Sequence, residues 1–383
     1  RFVSGGSGVQ IPLPAPFVSS RNRALEDLAV QPFLYDGLPC RVIFGDGTLS
    51  RLGDEIDRLG AKRALVLSTP EQSKAAGELA ASLGARAAGV FSRATMHTPT
   101  DITEQAMEAV RASGADCTVA LGGGSTIGLG KAIALRADLP QIAVPTTYAG
   151  SEMTPIIGET AGGKKTTQRT FRVLPETVIY DVSLTLSLPA KLSVTSGMNS
   201  VAHAVEALYA ENRNPIISMM ADECVRAFAR ALPRIVREPN DRDARSDALY
   251  GAWLGGACLG AVGMALHHKL CHVLGGSFDL PHAETHTVVL PHALAYNAPS
   301  ATDAAERVAD AIGTKDAALG LHEFAKKLGA PLALRDLGMP KEGIERAADI
   351  AMQNPYWNPR PLERTAIRNL IARAWKGDPP AAH

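Results

Sequence analysis

The stretch Thr118-Val119-Ala120-Leu121-Gly122-Gly123-Gly124-Ser125-Thr126-Ile127 decides how the first half of the 383-residue chain is read. A short apolar run enters three consecutive glycines, and a helix-forming segment continues to Leu135. A strand that turns through glycines into a helix exposes backbone N–H groups where no side chain blocks an anion and the helix dipole favours one. The run matches neither G-x-G-x-x-G nor the Walker pattern, so alone it reads equally as a phosphate cradle or a tight turn. Gly122, Gly123, Gly124, Ser125 and Thr126 are the candidate contacts.

On either side, similar apolar runs recur: 41–44, 63–67, 88–91, 141–144 and 177–180, separated mostly by helical stretches. This alternation describes parallel β/α units. A second polar turn, Val144-Pro145-Thr146-Thr147-Tyr148, follows the next run, and strand carboxyl ends are where open parallel sheets bind ligands. Thr146 and Thr147 therefore join the candidates, and two neighbouring turns favour a dinucleotide over a plain turn. After Leu67, Ser68-Thr69-Pro70 offers no carboxylate to hold the adenosine ribose and repel a 2′-phosphate. The site is thus expected to admit NADH or NADPH, with Ser68 a further contact. Lys165, after Gly162-Gly163, either meets the cofactor phosphates or caps an exposed turn.

Beyond Leu188-Pro189 the strand signal stops and Ala/Leu-rich helical spacing takes over, for example at 201–209, 218–232 and 247–266. The expected organisation is a tail or arm over 1–31, an α/β dinucleotide-binding domain over 32–188 and an all-helical catalytic domain over 189–383. A chain of this length suits two cores, since single cores stop growing at roughly 250–300 residues.

Six of ten histidines fall between 267 and 292. His268 and His272 are four apart on one helical face, and Asn199 and His203 repeat that spacing upstream. A shared site built from His203, His268, His272 and His282 is expected, while His97, His286, His292 and His322 read as core or surface residues.

Lys+Arg and Asp+Glu balance at 39 each, which removes the bulk field that gathers nucleic acid or an anionic membrane. Five scattered cysteines without a CxxC pair argue against a disulfide framework. No run reaches the ~20 apolar residues of a membrane span. A soluble, cytoplasmic protein is expected.

With these motifs placed, the chain resembles the iron-containing alcohol dehydrogenase superfamily from about Gln31 to Pro379. The general marks are Gly122-Gly123-Gly124-Ser125, Pro145-Thr146-Thr147, the Asn199 and His203 pair, and the His268, His272, His282 spacing. A reductase branch is marked by 33–39, Met96-His97-Thr98-Pro99, 266–276, Leu280 to His286 and the motif over 354–361. The resemblance implies a Rossmann-like parallel α/β domain followed by a helical domain, the dehydroquinate synthase-like fold, and a homodimer. It also implies NADH- or NADPH-dependent reduction of the C=C bond of maleylacetate to 3-oxoadipate, with His268 or His282 facing the developing oxyanion and His272 relaying a proton. Lys269 and Arg172 are the expected clamps for the substrate carboxylates, beside Asn199.

The departure from the family pattern is Asn199. Metal-dependent members place an aspartate there, beside ligands matching His203, His268 and His282. A neutral amide is the weaker ligand, so no metal is expected to be required, and histidines partly protonated near pH 7 are expected to suit a dianion. Competing readings are a metal-dependent alcohol dehydrogenase, a zinc-dependent elimination enzyme of the dehydroquinate synthase kind, and a nucleotide-binding sensor without turnover.

Overall fold

The β-branched runs form β1 (Arg41–Gly45), β2 (Ala64–Leu67), β3 (Ala87–Phe91), β4 (Cys117–Gly122) and β5 (Gln141–Pro145), within a residue or so of the expected spans. This computed structural model describes residues 32–162, 164–353 and 356–381. The expected tail over 1–31 lies outside them. From Leu34 onward the chain forms one compact unit.

An antiparallel hairpin, β6 (Ile156–Ala161) and β7 (Lys164–Arg169), precedes the last sheet strand, β8 (Thr177–Asp181). The sequence reading left this hairpin out, although the Gly162-Gly163 pair is a hairpin-turn signal. The main sheet is parallel throughout, in the order β1-β8-β5-β4-β2-β3. Chain order reverses between β2 and β4, so the crevice beyond their carboxyl ends is the topological switch point, where open α/β sheets bind ligands. Ser68 and the glycine turn both stand there. Around the sheet run α1 (Leu52–Arg58), α2 (Ser73–Leu83), α3 (Thr100–Ser113) and α4 (Gly124–Ala137), the last starting at the third glycine.

The helical half begins with α5 (Ala190–Leu208), α6 (Pro215–Arg237) and α7 (Arg242–Ala261). Helix α5 is buried from Ser193 to Leu208. The expected helix over 247–266 breaks: α7 stops at Ala261 and α8 (Leu266–Phe278) leaves at 96°. At the break Val262 is extended and the Gly263 N–H donates to Asn212 Oδ1 at 2.9 Å. Helix α9 (His282–Asn297) follows, then α10 (Thr302–Ile312), α11 (Ala317–Lys327), α12 (Gly343–Ala351) and α13 (Arg364–Lys376). One apolar cluster joins Ala120, Ala143 and Val178 of the sheet to Val194, Met198 and Val201 of α5, so the two halves share a core. Among the described residues, no single helix is long and apolar enough to cross a membrane.

Candidate active site

A cavity of about 750 Å³ opens between the sheet's carboxyl edge and the helical half. Its sheet-side wall includes Gly124, Ser125 and Thr147, and its helical wall includes Asn199, His203, His268, His272 and His282.

The turn shows why the first two of its three glycines are needed. Gly122 has φ +155°, and a Cβ there would collide with Thr126, while one on Gly123 would lie 2.9 Å from Thr147. The turn is thereby pressed against its neighbours, whereas Gly124 faces open space with nothing within 4 Å of a Cβ. The first N–H groups of α4 have no carbonyl within their own helix, so this end suits an anion. Thr126 is buried, and Thr146 accepts a hydrogen bond from Gln72 at 3.0 Å, so both hold the turn's shape and stand outside the lining. Ser68 is likewise buried and donates to Ser92 Oγ at 2.8 Å. The Lys165 side chain lies outside what the structure describes.

Behind the turn Lys131, fully buried, donates to the carbonyls of Ser151, Thr154 and Ile156 and to Thr154 Oγ1. Burial pulls its ammonium down to about 7 against the attraction of Glu152. This cation ties α4 to the loop entering β6.

In the helical wall, the His203 and His268 rings lie 5.2 Å apart and those of His268 and His272 6.4 Å. Asn199 Oδ1, His203 Nδ1 and His268 Nε2 are buried without a hydrogen-bond partner in the protein. Burial, then the neighbouring imidazoles of His268, His282 and His267, drive His203 well below the ordinary histidine range. His203 is therefore neutral near pH 7, which corrects the expectation that this ring adds positive charge.

Glu206, absent from the sequence reading, is fully buried one turn beyond His203. It accepts from His268 Nδ1 at 2.6 Å and from the backbone N–H of His267 at 2.8 Å and of Ala265 at 3.0 Å. Burial alone would raise its carboxyl, but the His268 hydrogen bond, the charges of His268 and His267 and the Ala265 N–H together hold it at about 2. The available signal was a glutamate inside the apolar helical run Ala202 to Ala207. His286, read as core or surface, sits fully buried in the same cluster, with His267 Nε2 and His286 Nδ1 2.9 Å apart. Those two rings and Cys271 place three potential metal donors within 4.8 Å of one another. Their hydrogen bond accounts for that closeness. His97, also read as core or surface, lines the cavity.

The two expected carboxylate clamps stand elsewhere. Arg172 is exposed and pairs with Asp138 at 3.4 Å, and Lys269 lies 5.4 Å from the centre of the Tyr356 ring; neither lines the cavity. Arg169, at the end of β7, does line it, with one guanidinium N–H on the Gly260 carbonyl. The motif over 354–361 has a supporting role in its described part. Asn358 Oδ1 accepts from the Leu266 N–H at 3.3 Å, and Asn358 and Asn297 exchange amide hydrogen bonds, which fixes where α8 starts. Residues 354 and 355 lie outside the described residues.

A helix N-terminus suited to an anion thus faces a wall of imidazoles across the cavity. Comparison with known proteins identifies the family. The model for iron-containing alcohol dehydrogenase matches residues 39–182, and that for the C-terminal part of the Fe-containing alcohol dehydrogenase family matches 193–375. The chain is 58% identical to a maleylacetate reductase of Sphingobium indicum over 348 residues, 91% of this chain and 99% of the relative. It is also 58% identical to one from Burkholderia cepacia over 349 residues, with the same coverage. The crystal structure of maleylacetate reductase from Agrobacterium tumefaciens superposes with a TM-score of 0.89 at 57% identity, covering 91% of this chain and all of that one. The chain is an oxidoreductase and belongs to the iron-containing alcohol dehydrogenase family.

Proposed function

We propose that this protein reduces the C=C bond of maleylacetate with NADH or NADPH, giving 3-oxoadipate, and that it needs no metal to do so. The observation that carries the reading is the single cavity that joins the open N-terminus of α4 to the histidine wall. In this reading residues 32–188 hold the dinucleotide and 189–383 carry the catalytic groups.

The cradle fits a dinucleotide pyrophosphate: Gly124 leaves space where any side chain would intrude, and Ser125 and Thr147 add hydroxyls. Bound reduced nicotinamide supplies the hydride that adds to the alkene carbon β to the ketone. The overall change consumes one solvent proton: maleylacetate plus NAD(P)H and H⁺ gives 3-oxoadipate plus NAD(P)⁺. His268 Nε2 or His282 faces the enolate oxygen as charge develops there, where a preorganised donor is most effective. His272, in the wall yet exposed, exchanges protons with solvent and delivers one to the carbon next to the ketone. Arg169 replaces Arg172 and Lys269 as the side chain that pairs with a substrate carboxylate, its planar fork suiting that group.

A metal fits less well. Asn199, His203, His268 and His282 offer only neutral donors, and a divalent ion favours an anionic one. A second reading, a metal-dependent alcohol dehydrogenase, is favoured by the unpartnered atoms on Asn199, His203 and His268.

The test of the proposed reaction is oxidation of NADH and of NADPH by freshly generated maleylacetate, comparing wild type with His268→Ala and His272→Ala. Wild-type turnover is expected, with kcat lower by about 10²- to 10⁴-fold in each variant, the usual worth of a positioned acid or base. No wild-type turnover on maleylacetate would refute the substrate assignment.

A further inference from the structure

Glu206 takes no part in the scheme above, yet an ionised carboxylate in a protein interior is costly unless donors surround it. Here they do. Helix α8 begins at Leu266 after Ala265, which has no side chain able to cap the exposed N–H groups. The Glu206 carboxylate, brought across from α5, accepts from the Ala265, His267 and His268 backbone N–H groups at 3.0, 2.8 and 3.3 Å. Negative charge at that place also complements the helix dipole. The Tyr209 hydroxyl adds a donor at 3.3 Å. The remaining and shortest contact, 2.6 Å, is to the His268 ring at Nδ1.

We infer that Glu206 is a positioning residue for His268: by capping α8 and accepting the Nδ1 proton, it fixes that ring's tautomer and keeps Nε2 turned to the cavity. The inference rests on the role given to His268 above. A carboxylate in this cage can only accept, so the proton between the two groups sits on Nδ1. Nε2 then has no proton in the neutral ring; it donates to the enolate oxygen only when the ring carries both protons, a cation that the Glu206 carboxylate stabilises and an amide at that position does not. A merely structural cap would leave the tautomer free, and this is where the two roles part.

Glu206→Gln separates them. Its carbonyl can still take backbone N–H groups, but its amide must donate toward His268 Nδ1, which drives the ring proton to Nε2. The experiment is ¹⁵N NMR of the histidine side chains in the full-length, chelator-treated protein, with the His268 signals assigned by their loss in His268→Gln. Wild type is expected to show Nδ1–H for His268 and Glu206→Gln to show Nε2–H. In the same variant kcat is expected to fall about 10- to 100-fold, as when a histidine loses its orienting partner, with KM for the reduced nucleotide unchanged. Glu206→Asp, which keeps a carboxylate, is expected to retain Nδ1–H and recover part of kcat. A wild-type His268 ring that carries Nε2–H without Nδ1–H overturns the inference even if Glu206→Gln fails to fold, as does an unchanged tautomer in that variant. Wild type that fails to turn over maleylacetate would refute the proposed reaction while leaving the tautomer result standing.

Discussion

Glu152 and Glu206 are both fully buried, one beside the loop that enters the sheet-side wall of the cavity and one behind its helical wall. Glu152 accepts the Tyr180 hydroxyl at 2.7 Å on one oxygen, while its other oxygen has no hydrogen-bond partner in the protein. Burial raises its carboxyl above the ordinary range, outweighing its own N–H, the Tyr180 hydroxyl and Lys131. Glu206, equally buried, is held at about 2 because the His268 ring and backbone N–H groups point at it. Burial therefore does not decide which way an acid's affinity for its proton moves; the number and direction of the donors do. The sheet side lets burial raise its acid and uses Lys131 as a clasp. On the helical side the charge is kept and used to set an imidazole.

The sharpest way to break this contrast is to remove both carboxylates. Glu206→Leu strands three backbone N–H groups and a ring nitrogen, and is expected to lower unfolding free energy by about 3–5 kcal/mol, the cost of breaking a buried charged pair. Glu152→Gln, which keeps an acceptor for Tyr180, is expected to stay within about 1 kcal/mol of wild type at pH 5. Denaturant unfolding of both variants checks the pair, and equal losses would dissolve the contrast.

An intermediate effect belongs to the cation in the cavity wall. Arg169→Ala is expected to raise KM for maleylacetate about tenfold, the loss of one charge-assisted contact, with KM for the nucleotide unchanged. Arg172→Ala and Lys269→Ala are expected to leave both constants within about twofold, because neither side chain lines the cavity. Steady-state kinetics on the three variants sort them.

The smallest effect is in pH dependence. The folded carboxyl of Glu152 lies above its ordinary value of 4.5, so between these two values the folded state binds more protons than the unfolded one. Stability from this group is complete below pH 4.5 and is lost as pH rises through the folded value. Relative to wild type, Glu152→Gln should gain stability with rising pH, by at most about 1.4 kcal/mol per pH unit. A difference that is flat, or that falls with pH, would contradict the assignment of Glu152 as raised.

Alternation of apolar runs with helical stretches gave the strands of the main sheet almost residue for residue, because parallel strands are buried on both faces and read as continuous apolar segments. The hairpin β6–β7 escaped since its polar second strand, Lys164-Lys165-Thr166-Thr167-Gln168-Arg169, lacks that texture. Helical spacing put Asn199 with His203, and His268 with His272, on common faces, and the structure brings all four together with His282 around one cavity. Spacing says which residues share a face but not which distant segments meet. That is why Glu206, whose partners arrive some sixty positions later, stayed hidden. It is also why the sequence points to Arg172 as a clamp and passes over Arg169, three residues earlier and at the end of a strand that reaches the cavity. The break between α7 and α8 follows the same logic, since it depends on Asn212 and Glu206 lying opposite a stretch that is helix-forming throughout.

The most direct test of metal-free reduction is to measure NAD(P)H oxidation by maleylacetate before and after exhaustive chelation, with elemental analysis of the same samples. Turnover should survive at the wild-type rate in protein with far less than one equivalent of iron, zinc or other divalent metal per chain. Activity that vanishes with the metal and returns only when iron or zinc is restored would contradict the account and favour the metal-dependent reading.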